Sequence, residues 1–243
     1  MNRELHGWHS PNLDKHMELA TYGHYGFALL LFPTAAADYL EYERFQLIDA
    51  IAQFIDAGKV KVFSINSINN ESWLNPHVPP PYRAIRHQQF NAYVVEEVVP
   101  FIWNHCSRET MIITSGASFG ALHAANNFFR RPDLFDGTIA MSGTYDIKSY
   151  SDGYYDDNCY FNSPVDYLSN LNDETILNTL RGKGHIHILS GQGDYEAPDR
   201  SRHLSHVLSS KGIPHELDLW GHDIPHEWWT WRLMLPHVLG SRF

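Results

Sequence analysis

The sequence is poor in cysteine, in basic clusters and in long apolar segments. Cys106 and Cys159 are its only cysteines, and they have neither the number expected of a disulfide scaffold nor a metal-ligand spacing. Eighteen Lys and Arg against 28 Asp and Glu give a net charge of -10, with no run of positive charge. We therefore expect free thiols, and we expect neither nucleic acid nor an anionic membrane as a partner.

No stretch approaches the uninterrupted apolar length of a membrane span, and the first residues lack the apolar core of a signal peptide. These two absences predict a cytoplasmic protein. The 243 residues show no internal repeat and no low-complexity segment, so we expect one α/β domain over residues 1–243. The acidic balance favours a neutral or cationic small molecule as the binding partner. The sequence does not indicate an oligomeric state.

Histidine is abundant, with 16 residues, which raises the question of a metal site. His185 and His187 are spaced to share a strand face, and His203 with His206 to share a helix face. Neither pair has an adjacent carboxylate in a recognisable ligand motif. We therefore expect neither a metal nor an organic cofactor.

Apolar runs alternate with helical patterns along most of the chain. Predicted strands lie at 8–13, 15–23, 26–32, 60–65, 111–113, 137–142, 185–190 and 216–220. Predicted helices lie at 43–57, 82–103, 121–129 and 201–211 and from about Glu227. This order predicts a mostly parallel sheet with helices on both faces and an antiparallel N-terminal edge. The segment 145–180 is too irregular for a long helix and is expected to form at most a small cap.

A serine turn follows the strand at 111–113 and precedes an apolar helix. It reads Gly116-Ala117-Ser118-Phe119-Gly120, which matches the G-x-S-x-G nucleophile elbow of serine hydrolases. The pentapeptide alone is common by chance and also suits an ordinary strand-to-helix turn. The strand before it and the helix after it favour the elbow, so Ser118 is the candidate nucleophile.

A serine nucleophile needs a base, and the base needs a carboxylate that fixes its tautomer. In this fold both follow late strands, in the order serine, acid, histidine. Asp194 follows the strand at 185–190, and His222 and His226 follow the strand at 216–220. We choose Asp194 as the acid and His226 as the base, although Asp194 also suits a simple turn.

These motifs resemble the branch of the α/β-hydrolase superfamily that contains feruloyl esterases, enterochelin esterases, S-formylglutathione hydrolases and mycolyltransferases. The resemblance rests on the serine turn, on Gly191-Gln192-Gly193-Asp194 and on the segment 226–232, His-Glu-Trp-Trp-Thr-Trp-Arg. It implies an α/β-hydrolase fold, and it places the base at His226 rather than His222. Because members of this group use Asp or Glu as the acid, Glu196 remains a competitor of Asp194.

The oxyanion of a tetrahedral intermediate needs backbone N–H donors. In this fold one comes from the residue after the nucleophile, which is Phe119, and one from the loop after an early buried strand. By position, the second donor is near Thr34 or Ala35. Small residues at Ala35, Ala36 and Ala37 leave room for an acyl group.

The sequence thus predicts a serine carboxylesterase that acts through an acyl-enzyme. With no long inserted lid, short-chain or aryl esters are the expected small-molecule substrates. An acyltransferase or a thioesterase would use the same three residues. A non-catalytic binding protein that retains the fold is a third alternative.

Overall fold

The computed structural model describes residues 1–35 and 37–243. Its central sheet is made of short, largely buried segments rich in Ile, Leu, Val and Phe, residues that suit a covered sheet. The strands are β1 (Arg3–Ser10), β2 (Lys15–Tyr22), β3 (Phe27–Phe32), β4 (Val60–Ile65), β5 (Ile112–Ala117), β6 (Gly137–Met141), β7 (His185–Ser190) and β8 (Glu216–Leu219).

Helices occupy the connections between these strands. They are α1 (Glu41–Arg44), α2 (Leu47–Ala50), α3 (Ala52–Asp56), α4 (Pro80–Tyr93), α5 (Val99–His105), α6 (Phe119–Arg130), α7 (Asp157–Tyr160), α8 (Pro164–Asn170), α9 (Glu174–Arg181), α10 (Pro198–Ser210) and α11 (Trp228–Arg242). A π-helical turn, Val94–Val98, joins α4 to α5, and single 3-10 turns lie at Asn69–Glu71 and Lys148–Tyr150.

The strand order is β1-β2-β4-β3-β5-β6-β7-β8. β1 pairs with β2 and β2 with β4 in antiparallel fashion, whereas every pairing from β4 through β3 to β8 is parallel. The predicted α/β-hydrolase fold is confirmed, including the antiparallel N-terminal edge. Because parallel strands share one direction, the loops after β3, β5, β6, β7 and β8 all emerge at the same edge of the sheet.

Successive residues of a strand point to opposite faces, and β3 shows how this builds two cores. Ala28, Leu30 and Phe32 lie in the core beneath α4, α5, α6 and α10. Leu29 and Leu31 lie in the other core, beneath α1 to α3 and α11. Both faces of the sheet are therefore covered by helices, as predicted.

One predicted helix is divided in the structure, and the segment expected to be irregular contains only short helices. The predicted helix at 43–57 is divided into α1, α2 and α3, because Gln46 has a left-handed backbone with φ of 59° that interrupts the α-helical hydrogen bonding. The segment 145–180 forms a 3-10 turn and the short helices α7, α8 and α9. Its irregular sequence therefore corresponds to short helices rather than to a large lid.

Cys106 and Cys159 are both free thiols, as predicted. Among residues 1–35 and 37–243, no helix is long and apolar enough to cross a membrane.

Candidate active site

The turn between β5 and α6 is tightly closed around Ser118. A Cβ on Gly116 would lie 2.4 Å from the carbonyl of Gly120, and a Cβ on Gly120 would lie 2.3 Å from the carbonyl oxygen of Phe32. Both positions therefore require glycine. Ser118 itself has φ of 56° and ψ of -119°, a strained backbone for a residue with a side chain, and its N–H donates to Met141 O at 2.9 Å. This geometry is typical of a nucleophile elbow.

The carboxylate beside His226 belongs to Glu196. Its Oε2 lies 3.4 Å from His226 Nδ1, and its side chain is 1% exposed whereas that of His226 is 25% exposed. Burial raises the pKa of the Glu196 carboxyl, but hydrogen bonds from His226 and Ser142 outweigh burial and hold the pKa below its ordinary value. Glu196 is therefore an ionised acceptor that fixes the His226 ring with Nδ1 protonated and Nε2 free.

Asp194 does not make the expected contact with His226. Its side chain is exposed, and only its backbone carbonyl meets the base loop, accepting from His226 N–H at 2.9 Å. The reason is the turn at Tyr195, whose φ of 63° breaks the extended geometry that would place residues 194 and 196 on one face. The expectation for Asp194 is thus corrected: Glu196 provides the carboxylate, and Asp194 shapes the loop through its backbone.

Of the two histidines after β8, only His226 lies against the carboxylate. His222 is exposed. The His226 ring also packs edge-on against the Trp231 indole, with ring centroids 5.1 Å apart. The His226 ring is thus held from two sides, by the carboxylate and by the indole.

Two further side chains, Ser142 and Trp231, hold Glu196. Ser142 Oγ donates to Glu196 Oε1 at 2.6 Å, and Trp231 Nε1 donates to Ser142 Oγ at 3.1 Å. Gly191 N–H also donates to Glu196 Oε1, at 3.2 Å, and Ser190 Oγ donates to Oε2 at 3.3 Å. We call Ser142 and Trp231 the acid brace. Sequence reasoning missed this role, and the only available signal was that Trp231 lies in the segment shared with the esterases.

Ser118 follows β5, and His226 lies in the loop between β8 and α11, which emerges at the same edge of the sheet. Ala117 pairs with Met141 across β5 and β6, so Ser118 lies beside Ser142 and the acid brace. The described contacts include no hydrogen bond between Ser118 Oγ and His226. In unliganded enzymes such bonds are often long and shorten when the substrate binds.

The loop after β3 approaches the elbow from the other side, which the 2.6 Å distance between a Cβ on Gly120 and Pro33 O shows. Thr34 N–H is already engaged, since it donates to Glu41 Oε2 at 2.8 Å. Ala35 is exposed, and its N–H donates to no other residue within 1–35 and 37–243. Phe119 N–H opens α6, where a helical amide has no acceptor one turn earlier. Of the predicted oxyanion donors, Phe119 and Ala35 N–H have no acceptor within residues 1–35 and 37–243, whereas Thr34 N–H has one. Ala36 lies outside the described residues.

The pairs His185/His187 and His203/His206 are not among the described residues whose ligand atoms converge. Within residues 1–35 and 37–243, metal-type ligand atoms converge instead at Glu4, His6 and His105, within 4.8 Å of one another. Lys61 Nζ lies 2.8 Å from His105 Nδ1, so this nitrogen accepts from the ammonium and the Nε2 of His105 carries the proton toward Glu4. A protonated Nε2 cannot bind a metal, and we interpret the cluster as a structural hydrogen-bond network.

No family model matches the chain, and no curated protein matches it. Several solved structures are similar to it over nearly its whole length. A ferulic acid esterase superposes with a TM-score of 0.75 at 17% identity, covering 98% of this chain and 96% of the other. An S-formylglutathione hydrolase from Agrobacterium tumefaciens gives a TM-score of 0.75 at 13% identity, covering 98% and 93%.

A third similar structure is the fluorophosphonate-binding serine hydrolase F of Staphylococcus aureus, with a TM-score of 0.68 at 15% identity and coverage of 98% and 97%. The esterase and S-formylglutathione hydrolase structures represent groups that the motifs of this sequence resemble. At these identities the likeness extends to the fold, and it shows that the chain has the α/β-hydrolase fold of these enzymes.

Proposed function

We propose that the protein is a serine carboxylesterase that cleaves short-chain or aryl esters through an acyl-enzyme, with Ser118, His226 and Glu196 as its catalytic residues. The observation that carries the proposal is one arrangement at the edge of the sheet. Ser118 has a strained backbone there, and at the same edge the buried Glu196 carboxylate contacts His226. An ordinary strand-to-helix turn needs neither feature. The fold likeness to a ferulic acid esterase and to serine hydrolases supports it.

In the first half-reaction, Ser118 Oγ attacks the ester carbonyl carbon while His226 Nε2 takes the hydroxyl proton. The oxygen of the tetrahedral intermediate accepts hydrogen bonds from Phe119 N–H and Ala35 N–H. The bond to the leaving alcohol then breaks, and His226 returns the proton to that alcohol. Glu196 stabilises the imidazolium formed in between through its contact with Nδ1.

In the second half-reaction, a water molecule attacks the acyl carbon and gives a proton to His226. The bond to Ser118 Oγ breaks, Ser118 regains its proton and the carboxylic acid leaves. The segment 145–180 adds only short helices beside the site, so it offers little apolar surface for a long acyl chain to contact. We therefore expect turnover to fall as the acyl chain lengthens.

The test is hydrolysis of p-nitrophenyl acetate, butyrate and octanoate and of methyl ferulate by the purified protein. Ser118→Ala should lower kcat/KM by about three orders of magnitude or more, because removing a nucleophile disables the whole triad. Ser209→Ala is the matched control, since Ser209 is exposed near the end of α10 and lies outside the proposed catalytic residues.

A fluorophosphonate probe followed by peptide mass spectrometry should label Ser118. Labelling of Ser115 or Ser142, or wild-type turnover by Ser118→Ala, would overturn the proposal. Offering an acyl thioester and an alcohol acceptor in the same assay measures thioesterase and acyltransferase activity directly. We expect both to be slower than hydrolysis of the aryl esters.

A further inference from the structure

Behind the loop after β3 lies a buried polar cluster that the proposed catalytic steps do not use. It consists of Asn69, Trp73, His87 and His123, each at most 3% exposed. Resting on the proposed function, we infer that Asn69, oriented by a buried histidine pair, is a positioning residue that aims Ala35 N–H as the second oxyanion donor. We call the four side chains the histidine relay.

Asn69 connects the relay to the loop. Its Nδ2 donates to Ala35 O at 2.6 Å and to Thr34 O at 3.2 Å. Carbonyl oxygens only accept, so these two contacts fix which end of the amide faces the loop. The carbonyl Oδ1 of Asn69 must then face the protein interior, where it lies 2.8 Å from His123 Nε2.

This orientation sets the tautomer of His123. Because Asn69 Oδ1 only accepts, His123 Nε2 must carry the proton and donate. The other ring nitrogen, Nδ1, is then a bare acceptor, and it is buried without a hydrogen-bond partner among residues 1–35 and 37–243. His123 lies on α6, only five positions after the nucleophile, and its ring packs against that of Phe119.

The tautomer of His87 follows from Trp73 by the same reasoning. Trp73 Nε1 donates to His87 Nδ1 at 2.8 Å, and an indole N–H can only donate. His87 Nδ1 is therefore the acceptor and Nε2 carries the proton. That Nε2–H is also buried without a partner in the described part of the chain.

The two unpaired atoms are complementary, and they belong to rings that contact each other. His87 offers an N–H donor, His123 offers a bare nitrogen, and the ring centres are 4.8 Å apart at an interplanar angle of 83°. Among residues 1–35 and 37–243 no hydrogen bond joins the two rings, which meet edge to face. Hydrogen bonds therefore run in one direction within each half of the relay, from Trp73 to His87 and from His123 through Asn69 to the carbonyls of Thr34 and Ala35.

Both histidines must be neutral for this direction to hold, since a protonated ring would present two donors. Burial lowers the pKa of His123 to about 3 and lowers that of His87 well below its ordinary value. The neighbouring ring and Arg130 lower the pKa of His87 further. Both rings are therefore neutral at neutral pH, and the bonds to Trp73 and Asn69 keep the stated direction.

The relay acts on the oxyanion donor through peptide geometry. In a trans peptide the C=O and the N–H point in opposite directions, and Thr34 C=O shares its peptide unit with Ala35 N–H. Anchoring Thr34 O inward on Asn69 therefore directs Ala35 N–H away from Asn69. Glu41 holds the preceding amide, Thr34 N–H, at 2.8 Å, so the loop is fixed by two separate anchors.

The first experiment compares His123→Leu with His123→Gln on p-nitrophenyl acetate. Gln places an amide N–H near the position of His Nε2 and so can still donate to Asn69, whereas Leu cannot. We expect Leu to lower kcat about 10- to 100-fold with KM changed less than about twofold, since losing one oxyanion donor affects the transition state rather than ground-state binding. Gln should recover most of kcat.

Asn69→Leu should reproduce the loss of His123→Leu. The double variant should be little worse than either single variant, because both remove the same chain of contacts. Wild-type kcat in Asn69→Leu or His123→Leu would overturn the inference, as would equal losses in the Leu and Gln variants of His123.

The second measurement needs no variant that could fail to fold. Long-range ¹H–¹⁵N spectra of the wild-type protein at neutral pH report the tautomer of each imidazole. Neutral rings protonated at Nε2 for both His87 and His123 would support the relay. A proton on His123 Nδ1, or a charged ring, would overturn it.

The two proposals fail in different ways. If Ser118→Ala keeps its turnover, the proposed function fails while the tautomers are unaffected. If Ser118→Ala is inactive but His123→Leu is fully active, the esterase stands and the relay fails.

Discussion

Two buried glutamates, Glu41 and Glu196, stand in similar surroundings at the loop edge of the sheet, yet their acidities move in opposite directions. Glu41 accepts from Thr34 N–H at 2.8 Å and from Thr34 Oγ1 at 2.5 Å. Glu196 likewise accepts from a backbone N–H, that of Gly191, and from the Ser142 hydroxyl. Only Glu196 also has a histidine within reach, at 3.4 Å.

The difference lies in what opposes burial. Burial raises the pKa of both carboxyls, and at Glu41 the two bonds from Thr34 do not overcome it, so that pKa remains above its ordinary value. At Glu196 the bonds from His226 and Ser142 do overcome it, and the pKa falls below its ordinary value. A buried carboxylate is thus held ionised where a protonatable base faces it, which is the condition that a triad acid needs.

The largest expected effect separates Glu196 from its neighbour Asp194. Glu196→Gln should lower kcat/KM by about 10²- to 10⁴-fold, because an amide in place of the carboxylate neither fixes the His226 tautomer nor stabilises the imidazolium. Asp194→Asn should stay within about threefold, since the Asp194 side chain is exposed and the loop uses only its backbone. Steady-state kinetics on p-nitrophenyl acetate measures both.

Comparing Glu196→Gln with Asp194→Asn also makes the opposite outcome interpretable. The reverse ranking would return the acid role to Asp194 and would require a loop rearrangement on substrate binding. Circular dichroism and thermal unfolding of both variants check that any loss is catalytic and not a loss of folded protein.

The choice between Asp194 and Glu196 shows how far the sequence could predict the site. The elbow could be predicted because its constraint is local. A side chain at Gly116 or Gly120 would clash with backbone atoms within a few residues or on the neighbouring β3 strand. The acid could not be predicted in this way, because it depends on the turn at Tyr195 and on donors at the ends of β6 and β7. These contacts join residues up to 54 positions apart in the chain.

The same reasoning explains the rest of the fold. Strands with strong apolar patterns, such as β3, were predicted because burial on both faces leaves a continuous apolar run. The helix expected over 43–57 was wrong in its continuity, since its apolar spacing does not reveal the left-handed backbone at Gln46. Ser142 and Trp231 were not assigned a role because no motif links residues 89 positions apart.

The next prediction concerns the acid brace, which holds Glu196 and has no counterpart in the bonds to Glu41 described above. Ser142→Ala removes the 2.6 Å bond to Glu196 Oε1, and Trp231→Phe removes the bond that fixes the Ser142 hydroxyl. We expect about a 10-fold loss of kcat for Ser142→Ala, equivalent to one hydrogen bond to a charged group, and a smaller loss for Trp231→Phe. In Glu196→Gln, adding Ser142→Ala should cause little further loss.

A full and independent loss in that double variant would show that Ser142 acts through something other than Glu196. The control is Ser115→Ala, which also removes a buried hydroxyl but one that donates to Ile139 O inside the sheet. Ser115→Ala should lower the unfolding free energy while leaving kcat close to that of the wild type.

The smallest effect concerns Glu41 and stability. Because the folded pKa of Glu41 is raised, its ionisation disfavours folding: the penalty is absent below the unfolded pKa and grows as the pH rises through the folded pKa. Glu41→Gln removes this penalty while an amide oxygen can still accept from Thr34 N–H. Urea unfolding should therefore show the variant level with the wild type at pH 4 and more stable than it at pH 7, by on the order of 1 kcal/mol. A variant that loses stability between pH 4 and pH 7 relative to the wild type would show that Glu41, like Glu196, is better held charged, and the contrast between the two glutamates would not stand.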